Sequence, residues 1–423
     1  MGKKIWIMNH YASSMYRDRA GRHFWFAREL RKSGYDATVF CANTFLDNEK
    51  QIEIEKGVFT EKFVDKIPFI FVKTVIATGN GIDRIKNMGL FYKNLFPATR
   101  EYAKENGKPD VILASSVHPL TMVAGIQIAR KMKVPCICEV RDLWPEAIFR
   151  FGKARENSLL GQVLTWGEHW IYRNADALIY TKEGDTDYLK EKGWTTAQGG
   201  DVDLRKCHYI NNGVDIAAYD RNISETVLDD EDLDTPCFDV IYAGSIRPIN
   251  HVGNILDAAS IISANKGYEN IRFLVFGDGS ELSALKERAK NEKIANVKLK
   301  GFVERKYIPN ILSKSSVNIL NYAQQQYNWS RGNSSNKLFE YMASGKPIIS
   351  TVRMGYSIIN RYQCGVELEE DTPEALAEQV MKFHDMSKEQ LARMGENARN
   401  GAKDFDIGVM TQKLVKAIES VMK

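Results

Sequence analysis

Short apolar runs alternate with amphipathic segments along the first half of the chain. In residues 21–34, Phe24, Ala27 and Leu30 recur at helical spacing, and runs rich in β-branched and aromatic residues lie on both sides of that segment. Further strand-like runs lie at residues 109–116, 135–140 and 175–181. Strands that alternate with helices predict a parallel sheet covered on both faces.

The same alternation begins again after a Gly-rich segment and an acidic run. The strand-like runs of this second part lie at residues 238–245, 271–279, 296–302, 316–322 and 347–351. The pattern therefore predicts two doubly wound α/β units in tandem, an N-terminal domain over residues 1–200 and a C-terminal domain over residues 201–405. Residues 406–423 are predicted to form a helix that packs back on the N-terminal domain.

Composition changes this picture little. Hydrophobic residues make up 44% of the chain and charged residues 26%, and 58 Lys and Arg face 54 Asp and Glu, which gives no sign of a nucleic-acid partner. The first apolar run is too short for a signal peptide, and polar residues interrupt the longest apolar stretch. The six cysteines show no disulfide or metal-ligand spacing. We therefore expect a cytoplasmic protein.

The stretch SSNKLFEYMASGKPII, residues 334–349, carries the clearest candidate chemistry. Its helix can begin at Ser335 or Asn336, where unpaired N–H groups and the helix dipole favour an anion. Lys337 adds a cation in the first turn and thus suggests a diphosphate ligand, while Glu340 is placed to accept hydrogen bonds from ribose hydroxyls. The alternative is an ordinary surface ion pair between Lys337 and Glu340.

Several other candidate residues directly follow predicted strands, where open parallel sheets bind ligands. His118 could hydrogen-bond a sugar hydroxyl or could be a capping or buried histidine. Asp142, Trp144 and Glu146 suit sugar recognition by stacking and hydroxyl acceptance, or form a packed loop with a helix cap. Gly21 opens the first long helix, where a missing side chain would let a phosphate or acceptor approach.

Two further segments are ambiguous. The FGDGSEL motif lacks the third glycine of a dinucleotide fingerprint and is weak evidence for a nicotinamide cofactor. Residues 82–108 interleave basic and apolar side chains, which suits either an anionic membrane surface or a helix that covers the sheet.

The stretch at residues 334–349 resembles the nucleotide-sugar loop of family 4 glycosyltransferases of the GT-B fold, especially the bacterial branch that builds O-antigen and capsule sugars. Four more motifs occur in the matching order, GRHFWFARELRKSGYDATVF, EVRDLWPEAI, INNGVD and YAGSIRPINHVGNILDAA. The resemblance implies two Rossmann-like domains that face a cleft. It also implies a retaining transfer of a hexosyl or N-acetylaminosugar group from a nucleotide diphosphate-sugar to a saccharide acceptor, which we expect to be polyprenyl-diphosphate-linked. No metal or further cofactor is implied, and a peripheral contact with the inner membrane face is compatible with such an acceptor.

The resemblance also assigns roles near the donor diphosphate. Glu340 matches the second glutamate of a pair that holds the ribose, and Gly332 stands where the first glutamate should be. Arg247 resembles a phosphate-binding arginine, but Asn250 and His251 stand where its partner lysine is expected. Lys337 is our hypothetical substitute for that lysine.

The resemblance assigns the remaining donor contacts to strand-end loops. Gly244 and Ser245 end a strand beside the diphosphate, the Gly277 loop lies near the nucleotide base, and His118 lies near the donor sugar. The backbone amides of Ser335, Asn336 and Lys337 are expected to bind the diphosphate.

Two other functions fit the same pattern. A GT-B sugar-nucleotide epimerase would need an acid and a base over the sugar and no acceptor. A non-catalytic nucleotide-sugar-binding scaffold would bind the donor without turnover, and Gly332 and the missing lysine are compatible with it.

Overall fold

The computed structural model describes residues 2–45, 51–77, 81–116, 118–150, 152, 154–326 and 328–422. Contacts divide the chain into two units, Met1–Asn211 together with Ile407–Lys423, and Asn212–Asp406. The division falls after Asn211 instead of after residue 200, because residues 207–209 form a strand that pairs with the sheet of the first unit.

Unit 1 is an eight-stranded sheet with helices. Its strands are β1 (Lys4–Met8), β2 (Asp36–Ala42), β3 (Phe59–Val64), β4 (Ile67–Val72), β5 (Val111–Ser115), β6 (Cys136–Val140), β7 (Ala177–Tyr180) and β8 (Cys207–Tyr209). Their order is β3-β4-β2-β1-β5-β6-β7-β8, and only the β3–β4 pair is antiparallel. Its helices are α1 (Ser13–Asp18), α2 (Arg22–Lys32), α3 (Ile82–Asn106), α4 (Pro119–Met132), α5 (Trp144–Arg150), α6 (Leu159–Asn174), α7 (Asp185–Glu191) and, at the end of the chain, Ile407–Val421. That terminal helix packs against α2.

Unit 2 has a six-stranded, fully parallel sheet. Its strands are β9 (Phe238–Ala243), β10 (Ile271–Phe276), β11 (Val297–Gly301), β12 (Val317–Leu320), β13 (Ile348–Ser350) and β14 (Gly365–Glu367), in the order β11-β10-β9-β12-β13-β14. Its helices are α8 (Ile216–Glu225), α9 (Glu231–Asp234), α10 (Gly253–Ser263), α11 (Leu282–Asn291), α12 (Ile308–Ser313), α13 (Asn336–Ala343), α14 (Ile358–Tyr362), α15 (Pro373–His384) and α16 (Lys388–Lys403); the terminal helix of unit 1 is α17. The two sheets confirm the predicted α/β class of two Rossmann-like units.

Apolar strands form the centre of each unit, as expected for sheets covered on both faces. All four residues from Ile5 to Met8 in β1 are buried, and so are Phe24, Ala27 and Leu30, the predicted inner face of α2. The helix α3 buries Phe91 and Leu95 in one cluster with Trp6 and Met8 of β1. The middle of α3 therefore covers the sheet, which was one of the two interpretations of residues 82–108.

The hairpin of β3 and β4 was not predicted. Its turn consists of Asp65 and Lys66, whose φ angles are 50° and 63°. Positive φ at both positions is what a type I′ turn requires, but neither residue is the glycine that usually marks such a turn. In the part of the chain that the structure describes, no helix is both long and apolar enough to cross a membrane.

Candidate functional site

The predicted donor residues of unit 2 follow three neighbouring strands. The strands β10, β9 and β12 pair in parallel, so their carboxyl ends lie at one edge of the sheet. Gly244, Ser245 and Arg247 follow β9, Gly277 follows β10, and the segment that leads into α13 follows β12. The structure therefore brings these candidates to a single edge, where open parallel sheets bind ligands.

The loops after β9 and β10 touch through their backbones. A Cβ atom on Gly277 would lie 1.7 Å from the carbonyl oxygen of Gly244, and one on Gly279 would lie 2.2 Å from that of Ile246. The φ angle of Gly277 is also strongly positive, at 145°. Packing within the chain thus already requires glycine at position 277, and its contact with a nucleotide base stays a prediction.

Lys337 lies in an aromatic cage instead of pairing with Glu340. Its Nζ is 3.2 Å from Tyr242 Oη and 3.0 Å from Asn250 Oδ1. The same atom lies 4.8 Å and 4.5 Å from the ring centroids of Tyr242 and Tyr322, within cation–π range. A Cβ on Gly244 would lie 2.7 Å from Lys337 Cδ, so glycine leaves the side chain room to reach the cage. The alternative of a Lys337–Glu340 surface ion pair is wrong.

The cage surrounds the ammonium with neutral groups. Burial lowers the pKa of Lys337 to about 7, although the Glu340 carboxylate acts in the opposite direction. Burial also raises the pKa of Tyr322 to about 12 and holds that of Tyr242 well above its usual value, so both phenols stay protonated at neutral pH. Among the described residues Lys337 has no ion-pair partner within 4 Å, and a bound anion would supply the missing charge.

Asn250 connects Lys337 to the loop after β9. Its Nδ2 donates to Ser245 Oγ at 2.9 Å, while its Oδ1 faces the ammonium of Lys337. Asn250 stands where the resemblance places a partner lysine. Because the Lys337 ammonium contacts Asn250, it lies next to the position at which that lysine is expected. Arg247 is exposed and directly precedes a 3-10 turn, Pro248–Asn250, at the same loop.

The start of α13 is only partly open to a ligand. The Ser335 N–H donates to Asn333 Oδ1 at 2.6 Å, and its Oγ accepts from Tyr322 Oη at 2.7 Å. The expectation that the Ser335 amide is available to a diphosphate is therefore wrong, because an asparagine turn already occupies it. Asn336 and Lys337 begin the helix, where N–H groups have no intrahelical acceptor.

Glu340 has an arginine partner that the sequence analysis missed. Arg305 follows β11 and donates from Nη2 to Glu340 Oε1 at 2.7 Å. The two side chains are 46% and 18% exposed, so the pair lies at the surface of the protein. The signal available in the sequence was a basic residue in the loop that follows the predicted strand at residues 296–302.

The backbone at Gly332 explains why no glutamate stands there. Its φ and ψ are 100° and −168°, a region that is almost exclusive to glycine. A glutamate at this position would strain the end of the 3-10 turn Trp329–Arg331.

In unit 1 the strands β1, β5 and β6 are parallel neighbours, and His118 follows β5. His118 is the N-cap of α4, and its Nε2 shares a 2.7 Å hydrogen bond with Nδ1 of His10. Both imidazoles are fully buried. Burial lowers the pKa of His118 to about 4, with a smaller effect of Arg84, and burial likewise lowers that of His10. His118 is thus the buried histidine of the alternative interpretation, and contact of its ring with a sugar stays a prediction.

A buried ionic network lies behind this edge. Arg22, the first residue of α2, donates from Nε to Glu139 Oε1 at 2.8 Å, and His23 Nε2 lies 2.8 Å from Glu139 Oε2. Burial alone would raise the pKa of Glu139, yet the charge of Arg22 and the contact with His23 hold it well below its usual value. Gly21 precedes this network with a φ of 108°, which favours glycine for conformational reasons.

The residues predicted for sugar recognition lie after β6 at the same edge. Asp142 is exposed and lies 3.6 Å from Lys182 Nζ, while Trp144 and Glu146 are partly exposed in the first turn of α5. The structure thus places these three residues and His118 after neighbouring parallel strands, at the same edge of the sheet. No cluster of three or more metal-ligating side chains is present in the described ranges.

Two family models match the chain, one in each unit. A Glycosyl transferase 4-like domain matches residues 24–199, and the Glycosyl transferases group 1 family matches residues 225–401. No curated protein sequence matches the chain.

Solved structures share the fold along the whole chain. Sucrose-phosphate synthase from Thermosynechococcus elongatus has a TM-score of 0.69, 14% identity and coverage of 98% of both chains. HepE from Anabaena, solved with UDP-glucose, has a TM-score of 0.66, 15% identity and coverage of 99% of both chains. WaaG, a glycosyltransferase involved in lipopolysaccharide biosynthesis, has a TM-score of 0.63, 14% identity and coverage of 98% of this chain and 99% of that one. Each of the two Rossmann-like units is thus matched by one glycosyltransferase model, and these matches together with the shared fold support a glycosyltransferase of the GT-B fold.

Proposed function

We propose that this chain transfers a sugar from a nucleoside diphosphate-sugar to a saccharide carried on a polyprenyl diphosphate, with retention of the anomeric configuration. The donor would bind at the carboxyl edge of unit 2 and the acceptor at that of unit 1. The observation that carries the donor assignment is the Lys337 ammonium, which lies among neutral groups at a strand-end edge.

The leaving diphosphate would be stabilised by charge. Lys337 and the exposed Arg247 follow adjacent strands, β12 and β9, and supply two cations, while the Asn336 and Lys337 amides add oriented dipoles. Glu340, oriented by Arg305, would accept hydrogen bonds from the ribose hydroxyls.

Transfer would proceed on one face of the sugar. The bond between the anomeric carbon and the diphosphate oxygen breaks, the acceptor oxygen bonds to that carbon from the same side, and the acceptor proton passes to the departing diphosphate. This route requires positioning and electrostatic stabilisation and no protein nucleophile. The proposed positioning group for the transferred donor sugar is the His10–His118 pair of unit 1, and Asp142, Trp144 and Glu146 would contact the acceptor sugar.

The proposed setting is surface polysaccharide synthesis, of O-antigen or capsule type, at the inner face of the cell membrane. The resemblance of residues 334–349 to that branch supports it, and the neighbour WaaG acts in lipopolysaccharide biosynthesis. The UDP-glucose complex of HepE makes UDP-sugars the first donors to test.

The test is a screen of nucleotide sugars for release of nucleoside diphosphate, with and without a bacterial lipid-linked saccharide extract. Release that depends on the extract, and that Glu340→Ala and Lys337→Met abolish, supports the transferase. Lys266→Met, a change at an exposed site of unit 2, is the matched control and should keep full activity. Conversion of the donor sugar without an acceptor would establish an epimerase instead, and donor binding without any turnover would establish a scaffold.

A further inference from the structure

Two groups of large apolar side chains in unit 1 are exposed. The first group, which we call the α3 tip, consists of Val75, Ile76, Ile82 and Ile85, each 40–71% exposed. The second group, the α6 tip, consists of Leu159, Leu160, Val163 and Trp166, each 55–80% exposed. Exposed apolar groups of this size usually mark an interaction surface.

Helix length places both tips at the carboxyl edge of the sheet. The helix α3 has 25 residues and is about 37 Å long, whereas β4, which precedes it, has 6 residues and spans about 20 Å. Because α3 ends just before the amino end of β5, its first turns extend beyond the carboxyl ends of the strands. The same holds for α6, which is about 24 Å long and leads into the four-residue strand β7.

The tips flank the candidate acceptor edge. The connections from β4 to β5, β5 to β6 and β6 to β7 all move in one direction across the sheet, so right-handed crossovers put α3, α4 and α6 on the same face. The helix α4 packs against both α3 and α6. Its N-cap is His118, so one apolar tip lies on each side of the strand end that carries this residue.

The charge around the tips identifies the partner. Residues 73–93 and 141–166 together contain eight Lys or Arg and four Asp or Glu. Lys86, Arg150 and Arg155 are exposed there, close in sequence to the apolar side chains. The core of a protein–protein interface is depleted in charge, whereas apolar side chains mixed with basic ones and a tryptophan suit the interface of an anionic bilayer.

We propose that the α3 tip and the α6 tip together rest on the anionic face of a lipid bilayer. This inference rests on the proposed function in one respect, because such a contact would present a lipid-linked acceptor to the strand ends beside His118. It also narrows the sequence-based expectation of a membrane contact along residues 82–108. Since Phe91 and Leu95 are buried, the exposed large apolar side chains of α3, Ile82 and Ile85, lie in its first turns.

Vesicle co-sedimentation of the full chain tests the proposal. The probes are vesicles of phosphatidylglycerol with phosphatidylethanolamine, and vesicles of phosphatidylcholine alone. The chain should bind the anionic vesicles at least tenfold more strongly, and binding should weaken with added salt. Ile82→Ser with Ile85→Ser, and separately Val163→Ser with Trp166→Ser, should each reduce the binding constant at least tenfold. Phe63→Ser and Phe302→Ser remove exposed aromatic side chains elsewhere and should change nothing.

Two results would overturn the proposal. One is that the wild type does not bind anionic vesicles, or that the tip variants bind them as strongly as the wild type does, with circular dichroism confirming that all variants are folded. The other is a wild-type dimer in sedimentation velocity that Trp166→Ser converts to a monomer, because the covering partner would then be a second copy. Turnover with a water-soluble acceptor separates this proposal from the proposed function. The tip variants should keep this turnover. If the wild type and all variants lack the turnover although the wild type binds vesicles, only the transferase proposal is refuted.

Discussion

Binding at the proposed donor site should weaken as the pH rises, because the proposed role of Lys337 requires a protonated amine beside the diphosphate. The pKa of this residue is lowered to about 7 by burial, and a bound diphosphate should return it to at least its ordinary range near 10.5. Binding then includes the uptake of a proton wherever the free amine is neutral. Linkage gives a dissociation constant that increases roughly 90-fold between pH 6 and pH 9.

Isothermal titration calorimetry in buffers of different ionisation enthalpy measures this proton directly. The nucleotide sugar chosen by the donor screen is a suitable ligand, since its diphosphate does not titrate in this range. About 0.5 proton should be taken up at pH 7 and about 1 at pH 8.5, values that follow from the linkage relation.

Two variants identify the titrating group. Lys337→Met should bind the donor weakly and without pH dependence, because the titrating amine is gone. Lys346, whose pKa burial also lowers, follows the other end of α13, and Lys346→Met should keep the full slope. A slope that persists in Lys337→Met, or a wild-type dissociation constant that changes less than threefold from pH 6 to pH 9, would refute the reasoning.

Three more predictions follow from contacts of single side chains. Glu340→Gln should weaken binding of a ribonucleoside diphosphate about tenfold and leave the 2′,3′-dideoxy form unchanged in calorimetry, since a charged hydrogen-bond acceptor is lost; an equal loss for both would remove its role at the ribose. Glu139→Gln should lower the free energy of unfolding by about 3–5 kcal/mol in urea titrations, because Arg22 would stay buried without its carboxylate, whereas the exposed Glu105→Gln should have little effect. The pKa of His118 is about 4 in the folded protein, below its value in the unfolded chain. The free energy of unfolding should therefore be highest above pH 6.5 and should decrease by roughly 3 kcal/mol as the pH falls towards 4. In denaturation curves, His118→Gln should reduce this decrease.

Local patterns were sufficient for most of the fold. The inner face of α2 and the strands β1, β5, β9 and β10 follow from periodicity, because their apolar residues are buried where the pattern places them. The β3–β4 hairpin could not be found in this way, since its turn residues Asp65 and Lys66 adopt positive φ without the usual glycine signal.

The candidate site was predicted in position but not in its contacts. Strand ends correctly located the edge that holds Lys337, but Tyr242 and Asn250, which decide where its ammonium lies, are 95 and 87 residues away in sequence. The His10–His118 pair spans 108 residues. Such contacts depend on which strands become neighbours, and periodicity within a segment carries no information about that.

The backbone at Gly332 has an evolutionary consequence. A single codon change can introduce a glutamate at this position, but the new side chain would meet a conformation that only glycine tolerates well. Gaining the pair of glutamates that the resemblance leads one to expect would require the turn at Trp329–Arg331 to be rebuilt at the same time. If the proposed donor site is correct, descendants of this sequence should change their donor sugars through other positions, and the glycine should persist through that divergence.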